Sequence, residues 1–248
     1  MRKIYTLPAA AILAGAAVAV AFSHTARSAD HLDSPAVVNS PTADITDIFA
    51  WTAAAGDGGA PSNVVLAMNT NPAATKTTLF DDTVQYVLHT ASGSFSATSL
   101  PSNTVDIIAT FDTATPQNIS LWVGTAEYLH GNASDASKPL KSADGKVTVF
   151  AGPRADPFFF NLDGFHNTQA LVESVAGSLS FNEAGCPLGL ADSGASALIV
   201  KTLKSGADGG AATNFFATLD ELAIVIELDK SLITAGGADV SVWGATYQ

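Results

Sequence analysis

The sequence predicts a mainly β protein, built as a single antiparallel β-sandwich or an irregular barrel with minor helices. Short segments with apolar and β-branched residues at alternate positions recur along most of the chain. Turn-forming residues separate these segments, and helical periodicity is sparse. No internal repeat or linker divides the pattern, so we expect one domain with one substantial core.

Eight segments carry the strand pattern. The second is closed by Asn69-Thr70-Asn71-Pro72, and the sixth follows the Asp144-Gly145 turn, which is a hairpin signal. The seventh is a continuous apolar run of the kind found in buried central strands. The predicted strands are 45–51, 64–68, 83–89, 104–111, 118–123, 146–150, 222–228 and 240–243.

Helical signal is confined to two short segments. The pattern predicts a helix over 167–175, with Asp163 or Asn167 as the N-terminal cap, and a second helix over 196–203. Small-residue stretches at 54–62 and 204–213 predict loops, because strand signal resumes after each.

The first 28 residues have the pattern of a secretory signal peptide. Two basic residues precede an apolar stretch over 7–22, and Ala26 and Ser28 occupy the −3 and −1 positions of a cleavage site. We therefore expect export to the periplasm or the cell exterior, with 29–248 as the mature domain. No later segment is long and apolar enough to span a bilayer, so we expect no membrane span after removal of the leader.

The net charge of the mature chain limits the kinds of molecule that it can bind. Eight of the 11 basic residues lie beyond the leader against all 23 acidic ones, so the mature chain has a formal charge of −15. Phosphate backbones need clustered cations, so nucleic acid is excluded as a partner. A cation, a small ligand, a surface component or a second copy of the chain remain as expected partners.

Cys186 is the single cysteine, so the chain forms no internal disulfide. Its setting between glycines predicts a turn, and nearby Glu183 would raise a thiol pKa rather than lower it. We expect a passive, partly buried thiol.

An N-terminal polar cluster is the first candidate metal site. His31 and Asp33 are two residues apart, which places both side chains on one face of an extended segment. Asp47 precedes apolar residues, as expected of an inward-facing acid. Imidazole favours zinc and similar cations, whereas carboxylates alone favour calcium. The alternative is that His31 and Asp33 only pin an N-terminal arm by hydrogen bonds.

Residues 152–163 contain the second candidate site and the mature chain's one arginine. Arg154 and Asp156 lie between two prolines and precede three phenylalanines. A guanidinium pairs bidentately with carboxylate or phosphate. We expect Arg154 to be largely buried and paired with Asp47, Asp156 or Asp163 as a structural anchor. The alternative is a pocket in which Arg154 contacts an anionic ligand.

Five segments occur in a distinctive order and spacing. They are Ala29-Asp30-His31-Leu32-Asp33-Ser34-Pro35, Asp44-Ile45-Thr46-Asp47-Ile48-Phe49-Ala50-Trp51, Met68-Asn69-Thr70-Asn71-Pro72, Ala151-Gly152-Pro153-Arg154-Ala155-Asp156-Pro157-Phe158-Phe159-Phe160 and Val242-Trp243-Gly244-Ala245-Thr246. This arrangement resembles the exported bacterial proteins grouped as domain of unknown function 4331 (DUF4331), over nearly the whole mature chain except 90–145. The resemblance implies secretion and one β-rich domain, and it implies no established activity.

Two positions depart from the family pattern. The family carries two consecutive acids where this chain has Ala155-Asp156, and a Gly-Leu-Asn stretch where this chain has Thr218-Leu219-Asp220. If those residues serve one site, this chain has lost one carboxylate there and gained another.

Because the sequence contains none of the common catalytic or cofactor-binding motifs, three classes of function remain open. The chain lacks a nucleophile elbow, a zinc-protease helix, a phosphate loop, a dinucleotide fingerprint and a calcium hand loop. We favour a non-catalytic exported module that binds a metal ion such as calcium or zinc, a small ligand or a surface component. A metal-dependent or carboxylate-based hydrolase is the first alternative, and a structural or assembly protein of the cell exterior is the second.

Overall fold

A computed structural model describes residues 35–53, 62–94, 103–189 and 194–248. Two five-stranded antiparallel sheets contribute their apolar faces to one core, and neither sheet closes into a barrel. The mainly β prediction is therefore confirmed, and the sandwich rather than the barrel describes the fold. Within the described ranges, no helix has the length and apolar character needed to cross a membrane.

Each sheet is ordered as follows, with strands numbered along the chain. The first sheet contains, in spatial order, β1 (Ile45–Thr52), β2 (Asn63–Ala74), β9 (Asp220–Asp229), β8 (Val147–Ala155) and β7 (Leu140–Lys141). The second contains β10 (Asp239–Tyr247), β3 (Gln85–Gly93), β4 (Asn103–Phe111), β5 (Ile119–Val123) and β6 (Glu127–Gly131).

The core lies between the sheets because alternate side chains of each strand point inward. Leu66 and Ile224 bring aliphatic side chains from the first sheet, and Leu121 brings one from the second. Phe80, Tyr86 and Phe111 form an aromatic cluster at one end of this core, with the rings of Phe80 and Phe111 stacked at 4.0 Å.

A helical insertion separates two strands that pair directly. β8 and β9 are antiparallel neighbours, yet residues 156–219 lie between them. Besides α1 (Pro35–Val38), which precedes β1, the α-helices of the described residues are α2 (Leu162–Ala176) and α3 (Ala195–Leu203), both in the insertion, and short 3-10 helices span Pro41–Ala43 and Lys230–Leu232. The buried Asn161 amide joins them, because its Nδ2 donates to the carbonyls of Leu203 and Ser205 at 2.7 and 2.8 Å.

Eight predicted strands correspond to β1–β5 and β8–β10, whereas β6 and β7 were not predicted. β6 buries only Leu129 and β7 has two residues, so neither has an extended apolar alternation. The capping prediction for α2 is wrong. The helix begins at Leu162, so Asp163 lies in its first turn and Asn167 lies inside it, while Asn161 is the N-cap.

Candidate carboxylate site

The candidate site lies where the insertion leaves the first sheet. Arg154 pairs with Glu221 across β8 and β9, and Ala155 pairs with Asp220. Beyond this pair, the Asp156 amide donates to the Leu219 carbonyl at 3.0 Å, which closes the base of the insertion. Asp156 is therefore held beside the start of β9 although 64 positions separate the two in sequence.

Strand register brings further polar residues to the same face. Asp47 of β1 pairs with Asn69 of β2, and Asn69 pairs with Ala223 of β9. Side chains two residues apart on a strand share a face, so Glu221 lies on the side of Asn69 and Ala223. This is the outer face of the first sheet, because the intervening Leu222 belongs to the core.

A β-bulge sits at the start of β1, beside this site. The register shifts between Ile45 and Asp47, so Thr46 is the extra residue. Bulges redirect side chains and are enriched near functional sites. The Thr46 Oγ1 atom is buried and has no hydrogen-bond partner of regular geometry.

Three carboxylates converge here. One oxygen from each of Asp47, Asp156 and Glu221 lies within 4.8 Å of the others, and this is the one such acidic or metal-ligating group in the described ranges. Glu221 is 1% exposed, and the other two are partly buried. Asn69 Nδ2 donates to Glu221 Oε2 at 2.8 Å, and the Phe158 amide donates to Asp156 Oδ1 at 2.8 Å.

Burial raises the pKa of Glu221 to about 7. The nearby Thr46 hydroxyl opposes this rise, although it does not reach regular hydrogen-bond geometry, and the Asn69 amide opposes it less. The negative charges of Asp156 and Asp47 raise the pKa further, because three carboxylates repel one another. Near neutral pH, Glu221 is therefore divided between its protonated and ionised forms.

The structure brings together only part of the predicted site residues. Asp47 and Asp156 meet in the cluster, whereas Asp163 is exposed on α2 and does not belong to it. His31 and Asp33 lie outside the described residues, so their role as metal ligands stays a prediction.

The expected burial of Arg154 is wrong. Its side chain is exposed, and its guanidinium carbon lies 5.2 Å from the centre of the Phe150 ring. Gly152, between them on the same face of β8, has no side chain and leaves the path to the ring open. The expected pairing with Asp47, Asp156 or Asp163 stays a prediction.

Sequence reasoning missed Glu221. It stands immediately before the predicted buried strand, and its alternation with Ala223 was the available signal that it shares a strand face. The neighbouring acid, Asp220, faces elsewhere, since its Oδ1 pairs with Lys76 Nζ at 2.5 Å. Cys186, expected to be partly buried, is exposed.

A second polar pair forms on the outer face of the second sheet. His89 Nδ1 lies 2.7 Å from Asp106 Oδ1 on the neighbouring strand, and the His89 ring stacks near Trp243 with centroids 5.3 Å apart. Strand pairing, rather than proximity in sequence, brings Asp106 beside His89.

No protein-family model, curated protein or solved structure matches this chain. The resemblance to DUF4331 therefore stays a prediction that rests on the motif residues alone.

Proposed function

We propose that this chain is an exported, non-catalytic module that binds one divalent cation through Asp47, Asp156 and Glu221. The observation that carries the proposal is the convergence of three carboxylate oxygens within 4.8 Å. Like charges this close disfavour joint ionisation, and a cation among them converts the repulsion into attraction.

The buried Thr46 hydroxyl supports the same location. Its Oγ1 lacks a regular hydrogen-bond partner, and the hydroxyl lies near Glu221. A buried polar atom without a partner is costly. A cation held by the carboxylates would offer this oxygen a further interaction beside its contact with Glu221.

The donor set selects a hard cation. The three converging groups are all carboxylates, and calcium, magnesium and manganese prefer oxygen ligands. Zinc favours sites with histidine or cysteine. Calcium suits the cluster best, because it accepts six to eight oxygens in flexible geometry and can complete its shell with water.

The alternative of a carboxylate-based hydrolase has one observation in its favour. A carboxyl group with a pKa of about 7 beside two other acids is the arrangement that general acid–base catalysis uses. However, Glu221 is 1% exposed, and a catalytic acid must reach its substrate. A small ion needs much less space, so burial favours ligation over catalysis.

Titration of the purified mature protein with calcium, magnesium and zinc tests the proposal. At pH 8 we expect calorimetric binding of one calcium per chain and an increase in melting temperature. Glu221→Gln should abolish both effects. Binding should weaken from pH 8 to pH 6, because the proton on Glu221 competes with the cation.

Glu227→Gln is the matched control. Glu227 lies on the same face of β9 and accepts a hydrogen bond from Asn63 at 2.9 Å, as Glu221 does from Asn69. This variant should bind calcium like the parent protein. Absence of binding by the parent, or equal binding by Glu221→Gln, would contradict the proposal.

A further inference from the structure

The helical insertion leaves an unusual amount of apolar surface in solvent. None of the buried hydrophobic residues of the described chain lies within 156–219. By contrast, ten of the seventeen exposed large hydrophobic residues in the described ranges lie there, so this segment buries its apolar side chains poorly. These ten are Phe158, Phe159, Val172, Val175, Phe181, Leu188, Leu198, Val200, Leu203 and Phe215.

The exposed area is large enough for a stable interface. The four phenylalanines are 46%, 60%, 50% and 53% exposed, and at about 150–250 Å² per aromatic side chain they leave about 400 Å² in solvent. With the six aliphatic side chains, the exposed apolar area summed over all ten is roughly 800 Å². A standard protein interface buries about 800 Å² on each partner.

Charge on the two helices indicates which partner fits. α2 contains the acids Asp163 and Glu173 and no lysine or arginine, whereas α3 contains Lys201 and no acid. Glu173 lies among the exposed valines of α2, and Lys201 lies between exposed Val200 and Leu203 of α3. Each apolar helix surface is thus accompanied by a charge opposite to that of the other helix.

We infer that the exposed apolar side chains of 156–189 and 194–219 form a homodimer interface in which α2 of one protomer packs on α3 of its partner. Two-fold symmetry repeats every contact, so the complementary charges of Glu173 and Lys201 meet twice. The chain carries a net charge of −12, so two copies repel one another overall, and the opposite charges on the two helices favour this one pairing. The inference is independent of the proposed cation site.

The test measures mass in solution by sedimentation velocity over a range of concentrations, in chelator and in a Cys186→Ser background. That background removes the exposed thiol, which could otherwise link chains covalently. We expect a dimer that dissociates on dilution. Leu198→Asp should yield a monomer, because it places a charge in the apolar contact, whereas Leu79→Asp should remain dimeric. Leu79 is 54% exposed and lies outside the insertion, while Leu198 is 49% exposed.

Charge reversal tests the pairing of the helices. Glu173→Lys and Lys201→Glu should each raise the dimer dissociation constant by about tenfold or more, since like charges then face one another. The double variant should recover most of the parent affinity. Circular dichroism checks that each variant stays folded. A monomer at all concentrations, a dimer that survives Leu198→Asp, or a double variant no tighter than the singles would overturn the inference.

Discussion

The sandwich buries its apolar side chains, whereas the helical insertion leaves most of its large apolar side chains exposed. In the sandwich, alternate residues of ten strands meet between two sheets, and leucines such as Leu66, Leu121 and Leu222 are fully buried. In the insertion, α3 buries no residue and α2 buries only Gly164 and Thr168. The two helices leave much of their apolar side-chain surface in solvent, and the inferred dimer interface rests on this difference.

The largest expected difference is in the cost of removing a leucine. Leu222→Ala should lower the free energy of unfolding by about 2–5 kcal/mol, because it leaves a cavity in the core. Leu198→Ala should change it by less than about 0.5 kcal/mol in the monomer, since the side chain is largely in solvent. Urea denaturation at low protein concentration measures both. Equal costs would show that the insertion has a core of its own.

The carboxylate site at the junction of the two regions should give a pH-dependent effect. Glu221 has a folded-state pKa of about 7, above its ordinary value of 4.5, so the folded protein binds the proton more tightly than the unfolded chain. The stability associated with this proton is present below about pH 4.5 and is lost as pH rises through about 7. Without cation, Glu221→Gln should match the parent near pH 4.5 and exceed it by about 1–3 kcal/mol at pH 8.

Denaturation at both pH values, in chelator and then in calcium, checks this effect. Calcium should close the gap at pH 8, because the ion replaces the proton in the parent protein alone. Calcium should not change the difference between Glu227→Gln and the parent at pH 8, because both retain the three carboxylates of the site. If calcium leaves the stability difference between Glu221→Gln and the parent at pH 8 unchanged, the buried Glu221 carboxylate does not bind the ion.

The smallest effect is expected at Arg154. Because its side chain is exposed and contacts the Phe150 ring, Arg154→Ala should cost about 0–1 kcal/mol, the range of surface charge interactions. Arg154→Lys should cost still less. A loss of about 3–5 kcal/mol is typical of a broken buried ion pair. Such a loss would show that Arg154 is buried and paired.

Much of the fold could be predicted because strand patterning is local. Alternating or continuous apolar segments of four to eight residues identified eight strands, and the Asp144-Gly145 turn marked the start of β8. β6 and β7 could not be predicted from the pattern. β6 buries a single leucine and β7 has only two residues, so neither shows an alternation of apolar and polar residues. The start of α2 was misplaced because Asn161 acts as N-cap without a side-chain capping bond and uses its amide to join α3 instead.

The candidate site was predictable only in its separate parts. Asp47 and Asp156 stood out for their sequence settings, but Glu221 joins them through strand pairing across the whole insertion. Arg154 was expected to be buried because it is flanked by prolines and aromatics. Those neighbours restrict the backbone, but they do not determine which side of the sheet another element covers.

By itself, the sequence determined the β-rich class, most strand positions and the acidic charge, because each depends on composition or on neighbours within a few residues. Only the tertiary structure decided that β8 and β9 pair across residues 156–219, that three acids distant in sequence converge, and that Arg154 and Cys186 face solvent. Burial and the pKa of Glu221 depend on what packs around a side chain in space, and that is fixed by long-range strand pairing.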